Sequence, residues 1–513
     1  MKKILFLTFL FASTKLNAQV PTILWEKTFG GGQNNRVYSV IRDDWNNLWV
    51  GGRASFDAEI SSIDSIGNIN WSHSYGGTNG NEKASQIIKN YNGNIVFAGY
   101  ASSTNGDVIG LHGGTMSGGE NDYWVVCLDT IGNIIWQKCL GGTGMNDAMS
   151  IQQTSDSGYI VFGHVEDDNG DITTYLGSYD IWIAKISSNG ILQWQKSFGG
   201  SDFDLAGKII CTPDGGYAFT GASASLDHHL TINRGSYDVW IVKISSNGII
   251  QWQYSYGGSG SDGANDIVRD FNGNYYLIGN TNSGDFDINN PKGAGDILVM
   301  KTDSLGILQW SKCLGGSQNE EGQAGCLTTN GGVEIVGYSY SNDSNLSNNH
   351  GLKDAVAFEV DSSGNLLWAK SMGGSNNDEA FSVTQASDGG SIVCGYSLSS
   401  DGDIGIPNTG NEQNWIIRLS DIPVGILDNQ ECKNAVSGEI KNQNLAIRYE
   451  FDKDQSVEIS VFDMSGKSLI IKKDSFKAGR NKIELPFSFR SGAYILKVVT
   501  RDRIFSCKIV CVQ

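Results

Sequence analysis

The sequence DIWIAKISSNGILQWQKSFGG, residues 180–200, contains the signals from which the fold can be predicted. Residues 180–186 have the branched and aromatic side chains that are typical of a strand. Asn189 and Gly190 follow as a two-residue turn, because both residue types tolerate positive φ. A second strand then runs into the Gly199-Gly200 doublet. The stretch therefore predicts a tight β-hairpin that ends at a glycine pair.

The same pattern, a tryptophan followed by a glycine doublet, occurs seven times in the chain. The seven tryptophans are Trp25, Trp71, Trp136, Trp194, Trp252, Trp310 and Trp368. Successive copies lie 46, 65, 58, 58, 58 and 58 residues apart by subtraction. A fixed period of this size indicates a propeller or a stacked array of similar units.

Each repeat contains four short strands. In one repeat they are predicted at residues 205–210, 217–220, 238–244 and 249–254, and the first two are joined by the turn Pro213–Gly216. No stretch of the repeats has a helical period. Four strands in each of seven units favour an all-β, seven-bladed β-propeller over a solenoid.

Tight hairpins join the first strand to the second and the third to the fourth. The boundary between blades therefore falls either at the glycine doublet or at the long polar loop. We place the blade boundary at the glycine doublet, which makes the strand rich in alanine and isoleucine innermost and the tryptophan strand outermost. The last blade then ends at Leu419 without a fourth strand, and residues 23–28 have the right pattern to supply it. Closure by this N-terminal strand would pair otherwise exposed sheet edges.

The repeat resembles a known bacterial family. Residues 180–186, Asn189-Gly190, Trp194 and Gly199-Gly200 together are similar to the SBBP-type β-propeller repeat, over roughly residues 22 to 420. The resemblance implies a seven-bladed fold and an extracellular location in a bacterium. It implies no chemical reaction.

The two ends of the chain indicate export. Lys2-Lys3 followed by apolar residues 4–12 predicts a signal peptide over residues 1–18. We find no transmembrane segment elsewhere in the sequence. Residues 434–513 carry 14 Lys and Arg against 9 Asp and Glu, whereas the preceding chain carries 23 against 46. Such an acidic chain should repel nucleic acid and anionic membranes, so neither is an expected partner.

The basic C-terminal region carries the most specific motifs. Residues 461–467, 479–485, 491–497 and 508–510 together resemble the type A sorting domain of type IX secretion. The resemblance implies a small C-terminal β-sandwich that the outer-membrane secretion machinery recognises and usually cleaves. The residues assigned to the sorting signal are Gly466, Lys467, Gly492, Tyr494 and Lys508.

These signals together predict the domain organisation and the location of the protein. A signal peptide would occupy residues 1–18, the propeller residues 19–420, a linker residues 421–433 and the sorting domain residues 434–513. We therefore expect the protein at the outer-membrane surface of a bacterium or released outside the cell.

An amide or acid lies ten residues after each repeat tryptophan. The seven residues are Asn35, Asn81, Asn146, Asp204, Asp262, Glu320 and Asp378. With this blade order they would surround the channel mouth, where their oxygens could hold calcium. Asn and Asp also cap their own turns, and this local role is the favoured interpretation. We therefore expect no required cofactor, although calcium could bind.

The sequence contains no catalytic motif. The six histidines share no repeat position, and no nucleophile elbow or phosphate loop is present. We therefore expect a binding or adhesion protein, not an enzyme, whose ligand is an unknown extracellular glycan or protein. A secreted polysaccharide-acting enzyme with its site at the channel mouth is an alternative, and a structural surface component is another.

Overall fold

A computed structural model describes residues 20–30, 33–43, 46–113, 120–328, 331–405 and 410–421, together with the strands of the C-terminal region between residues 436 and 511. The described residues form strands and turns, and none of them is helical. The predicted signal peptide, residues 1–18, lies outside the described residues.

The first 28 strands form seven sheets of four strands, which are the blades. Blade one has β2 (Arg36–Arg42), β3 (Leu48–Ala54), β4 (Asp57–Ile63) and β5 (Ile69–Tyr75). Blade two has β6 (Glu82–Lys89), β7 (Ile95–Ala101), β8 (Asp122–Leu128) and β9 (Ile134–Leu140). Blade three has β10 (Asn146–Gln153), β11 (Tyr159–Val165), β12 (Asp180–Ile186) and β13 (Leu192–Phe198). Blade four has β14 (Asp204–Cys211), β15 (Tyr217–Ser223), β16 (Asp238–Ile244) and β17 (Ile250–Tyr256).

Blade five has β18 (Asp262–Arg269), β19 (Tyr275–Thr281), β20 (Asp296–Thr302) and β21 (Leu308–Leu314). Blade six has β22 (Glu320–Leu327), β23 (Val333–Ser339), β24 (Asp354–Val360) and β25 (Leu366–Met372). Blade seven has β26 (Asp378–Gln385), β27 (Ser391–Ser397), β28 (Gln413–Leu419) and, from the start of the chain, β1 (Ile23–Phe29).

The seven blades close into a ring, as the repeat predicted. The first strand of each blade packs against the first strand of the next, and β26 of blade seven packs against β2 of blade one. Strand β1 pairs antiparallel with β28, with Trp25 opposite Arg418 and Phe29 opposite Asn414. The predicted seven-bladed propeller and its closure by the N-terminal strand are therefore confirmed.

A close backbone approach explains one glycine in the second strand of every blade. The first strand has a β-bulge in all seven blades, beginning at Ala206 in blade four. Ala206 pairs with Gly221. A Cβ atom on Gly221 would lie 2.0 Å from the carbonyl oxygen of Leu205. Only glycine fits at this position without displacing the first strand.

The core lies between the blades. The third strands carry fully buried tryptophans at Trp124, Trp182, Trp240 and Trp415. In the first three of these blades the indole N–H donates to a glutamine of the outermost strand, for example from Trp182 to Gln195 at 2.7 Å. These tryptophans are packing residues and do not form an exposed stacking platform.

The repeat tryptophan and the hairpin glycine belong to one interblade contact. Gly190 has φ of 80°. A Cβ atom on it would lie 3.1 Å from the Trp136 ring of the preceding blade. A side chain at Gly190 would therefore strain the backbone and crowd the tryptophan, which explains why the two residues recur together.

The C-terminal region forms two sheets of its own. The first contains β29 (Val436–Lys441), β30 (Asn444–Phe451) and β33 (Gly479–Pro486). The second contains β31 (Gln455–Asp463), β32 (Ser468–Phe476), β34 (Gly492–Thr500) and β35 (Ile504–Cys511). On β31 the alternating side chains Val457, Ile459 and Val461 are buried, so one face of the second sheet is covered. This arrangement is consistent with the expected small β-sandwich.

Candidate functional site

The crossovers between blades and the long loops within blades meet on one face of the propeller. The amide of Asp107, in a long loop, donates to the carbonyl of Gly76 in a crossover at 2.9 Å, and Asp171 and Asp403 donate to Gly141 and Gly373 in the same way. We call this side the loop-bearing face. The opposite face carries the tight turns, so binding loops can be sought on one side.

The residues predicted as an oxygen ring cap the crossovers. The carboxylates of Asp204, Asp262, Glu320 and Asp378 each accept the N–H of the second glycine of a doublet at 2.7–2.8 Å. Their side chains are buried and do not line the central cavity. Asn146 and Asn35 donate instead to loop carbonyls, at 3.0 and 3.1 Å.

Asn81 does not occupy the position predicted for it. The crossover from blade one to blade two is one residue longer than the others, so Glu82 begins β6 and takes the capping position. Glu82 is buried and accepts the amide of Ser103 at 2.9 Å, whereas Asn81 is exposed. The ten-residue spacing from the tryptophan therefore does not identify the capping residue in this blade. The acid at the start of the strand, Glu82, identifies it.

A second row of buried acids was missed by sequence reasoning. The third strand begins with aspartate in blades one to six, and in blades two to six this aspartate is buried, at Asp122, Asp180, Asp238, Asp296 and Asp354. In the part of the chain that the structure describes, one carboxylate oxygen of each has no hydrogen-bond partner. Burial is the main cause that raises the pKa of all five, to about 7 at Asp180.

The two rows of acids meet at the joints between blades. A Cβ atom on Gly199 would lie 2.7 Å from Asp180 Oδ1 and 2.5 Å from Asp204 Oδ2, so both oxygens face the first glycine of the doublet. The Asp204 charge further raises the pKa of Asp180. Among the described residues, no three His, Cys, Asp or Glu side chains lie close enough together to hold a metal ion.

A cavity of about 220 Å³ lies on the propeller axis, and all seven innermost strands line it. Its wall includes the aromatic rings of Tyr38 and Phe381, whose centroids are 5.1 Å apart. Lys208 and Asp266 form an ion pair at 2.8 Å on the wall. Concave sites of this kind are where ligands usually bind.

Charged and aromatic side chains surround the mouth of this cavity at blades six, seven and one. Arg36 donates two hydrogen bonds to the Glu412 carboxylate, at 2.8 and 2.5 Å, and its guanidinium lies 4.5 Å from the Tyr396 ring centroid. The Tyr396 hydroxyl donates to Glu379 at 2.6 Å, and Glu379 also pairs with Lys353. The network joins residues from both ends of the propeller sequence.

Aromatic rings continue this side of the mouth. Phe381 stacks on Tyr396 with centroids 5.9 Å apart. Lys353 lies over the Tyr338 ring at 4.4 Å, and Tyr338 contacts Tyr340 edge to face at 6.2 Å. Tyr340 is 38% exposed. This part of the mouth therefore offers an aromatic surface to a ligand.

Blades two and three contribute a second group of side chains. His164 contacts the Tyr179 ring edge to face at 5.4 Å, and Tyr179 stacks on Phe203 at 5.4 Å. The His164 ring lies 3.8 Å from an oxygen of Asp147. Burial lowers the pKa of His164, and nearby Lys83 lowers it further. Phe203 is 40% exposed.

The mouth is asymmetric around the ring. The residue after each capping position is Arg36, Lys83, Asp147, Glu321 or Glu379 in five blades, but Leu205 and Gly263 in blades four and five. Because this position differs from repeat to repeat, it does not appear among the residues that the repeats share and was not predicted. Comparing the same position across the seven repeats would have found it.

The predicted sorting residues fall in two groups. Gly466 and Lys467 lie outside the described residues. Gly492 begins β34, Tyr494 pairs with Ile509, and Lys508 pairs with Ile495.

Several solved structures are similar to the chain at low sequence identity. A puromycin hydrolase is 11% identical with a TM-score of 0.40, and the match covers 82% of this chain and 59% of that one. An ulvan lyase is 11% identical with a TM-score of 0.38 and coverage of 77% and 96%. Plexin A from Drosophila, in complex with semaphorin 1b, is 8% identical with a TM-score of 0.39 and coverage of 78% and 88%. At these scores no functional conclusion follows.

The comparison that bears on function concerns the C-terminal region. No curated protein matches the chain. Within the described residues, no helix has the length and apolar character needed to cross a membrane. Residues 441–513 match the secretion system C-terminal sorting domain. The protein thus carries a propeller followed by the sorting domain of the type IX secretion machinery, which directs it to the cell surface or the extracellular space.

Proposed function

We propose that the protein is a secreted or surface-displayed binding protein whose ligand is an extracellular glycan or protein held at the channel mouth. The observation that carries the proposal is the concentration of aromatic and charged side chains in two groups around the mouth, one at blades six, seven and one and the other at blades two and three. Tyr340 is exposed in the first group, where hydrogen bonds and ion pairs of Glu379 hold the neighbouring side chains, and Phe203 is exposed in the second. Rigid aromatic surfaces with polar neighbours are typical of binding sites.

The loop-bearing face is better suited to hold the binding site than the opposite face is. The long loops are anchored to the crossovers by backbone hydrogen bonds, as between Asp107 and Gly76. Such anchoring holds the mouth in one shape, which reduces the entropy lost on binding. The SBBP repeat type, the domain boundaries, cleavage of the sorting domain and calcium binding remain predictions.

A secreted polysaccharide-acting enzyme at the same mouth is the second candidate. Acidic, basic and aromatic side chains converge there in Asp147, His164, Lys83 and Tyr179. Convergence of a proton acceptor with a group of shifted pKa is a feature of catalytic sites. Release of new reducing ends from a bound polysaccharide would support this candidate over simple binding.

A glycan array run with the mature protein, with and without calcium, tests the proposal. Tyr340→Ala and Phe203→Ala should each weaken binding about fivefold, because each removes a ring contact worth about 1 kcal/mol. Phe271→Ala is the matched control, since Phe271 is 92% exposed in a tight turn of the opposite face. Equal loss in all three variants, or binding unaffected by all three, would contradict the proposed location.

A further inference from the structure

Among the residues that the structure describes, two basic side chains at the mouth lack an acidic partner, unlike the cations around them. Arg36 is paired with Glu412, and Lys353 with Glu379. Within the described part of the chain, Lys83 and Arg53 form no ion pair. Because the chain has a net charge of −18, two unpaired cations in one partly buried place are a notable exception.

The two side chains lie on adjacent blades and face the same corner of the mouth. Arg53 pairs with Arg36 across β2 and β3, and Lys83 pairs with Tyr100 across β6 and β7. Strand β3 packs against β6. The Lys83 ammonium lies 4.1 Å from the Tyr38 ring centroid, and Lys83 lines the axial cavity.

Neither cation is fully satisfied by the protein. Arg53 Nε is buried and has no hydrogen-bond partner within the described ranges. Burial, with the charges of Arg53 and Arg36, lowers the pKa of Lys83 to about 8, and Asp147 opposes this effect. A buried donor without a partner costs free energy. Arg53 as a whole is only half-buried, so an anion can approach this residue.

We propose that Arg53 and Lys83 bind an anionic group, the carboxylate or sulfate of an acidic polysaccharide. This inference rests on the proposed binding function and names its ligand class. The guanidinium of Arg53 can donate two parallel hydrogen bonds to such a group, and Lys83 supplies a second charge. The rings of Tyr38 and Phe381 on the cavity wall would contact the adjoining sugar.

Titration calorimetry on the full mature protein tests the inference. The probes are polygalacturonate for a carboxylate, dextran sulfate for a sulfate and plain dextran as the neutral polymer, with sodium sulfate as a free anion. We expect one of the charged polymers to bind, and Lys83→Gln and Arg53→Gln each to weaken that binding about tenfold or more. The charge-retaining Lys83→Arg should restore most of the affinity.

Lys370→Gln is the control, because it removes the same charge from the outermost strand of blade six. Circular dichroism and thermal melting verify that each variant is folded. Charged polymers that bind no better than dextran, or that bind folded Lys83→Gln and Arg53→Gln as tightly as the parent, would overturn the inference. Binding of a neutral glycan or a protein alone would also overturn it while leaving the proposed function standing. The proposed function itself fails if the mouth variants leave every bound ligand unaffected.

Discussion

At the scale of single residues, the joints between blades hold acids where water cannot reach them. The Asp180 side chain is buried, and its Oδ1 atom faces Asp204 without a donor. In the preceding joint, the His112 ring lies 2.7 Å from the Asp122 carboxylate and opposes the effect of burial, and the pKa of Asp122 is raised only to about 6. The pKa of the buried aspartate therefore differs from joint to joint.

This difference predicts how stability depends on pH. The folded pKa of Asp180, about 7, lies above its ordinary value of 3.8, so the native state binds the proton more tightly than the unfolded chain. The melting temperature should therefore rise as pH falls from 8 to 5. Asp180→Asn should raise it at pH 8 and flatten this dependence, as calorimetry would show.

Asp202→Asn is the control for this effect, because Asp202 is an exposed acid in the same crossover. We expect the control to leave the pH profile unchanged. A melting temperature that Asp180→Asn lowers equally at pH 5 and pH 8 would show instead that the folded protein needs the charged carboxylate.

At the scale of elements, each blade is shaped by a bulge in its first strand and a glycine opposite it. The glycine positions are Gly52, Gly99, Gly163, Gly221, Gly279, Gly337 and Gly395, and a Cβ atom at any of them would lie 1.8–2.0 Å from a backbone oxygen. The clash is with backbone, which cannot rotate away. The bulge in the first strand therefore requires the glycine in the second strand, and the two occur together in every blade.

Substitution of this glycine should be costly. Gly221→Ala should reduce the free energy of unfolding by about 3 kcal/mol, because the first strand must move to admit the methyl group. Gly215→Ala is the comparison, since Gly215 has φ of 81° but open space around it, and it should cost only about 1 kcal/mol. Urea denaturation measures both, and equal costs would show that the close approach is unimportant.

Strands, turns and ring closure could be predicted from the sequence because they depend on local patterns. Alternation and Asn-Gly turns act within a few residues, and the missing fourth strand of blade seven pointed to residues 23–28. The mouth could not be predicted in this way. Arg36 and Glu412, for example, are 376 residues apart and meet only because the ring closes.

At the scale of the whole molecule, one short strand determines whether the ring is closed. Strand β1 covers the edge of β28, and Glu26 of β1 accepts the indole N–H of Trp415 at 3.2 Å. Its removal would expose the backbone groups of β28 and would remove the contact between the Trp25 ring and Gly67 of blade one. Exposed edges favour association with other chains.

Deletion of residues 23–29 should therefore lower the melting temperature of the propeller and promote aggregation. Calorimetry and light scattering measure the two effects. Glu26→Gln is the milder control, because it keeps the strand and an acceptor for Trp415. An unchanged melting temperature after the deletion would show that the other three strands suffice for blade seven.

The pairing of β1 with β28 also imposes an order on folding. Glu26 and Trp415 are separated by 389 residues. Strand β1 therefore cannot pair with β28 until nearly the entire propeller has been synthesised. Contacts of such long range form slowly, since the intervening chain loses entropy when its ends meet. We therefore expect the closure of blade seven by β1 to be the final step in folding of the propeller.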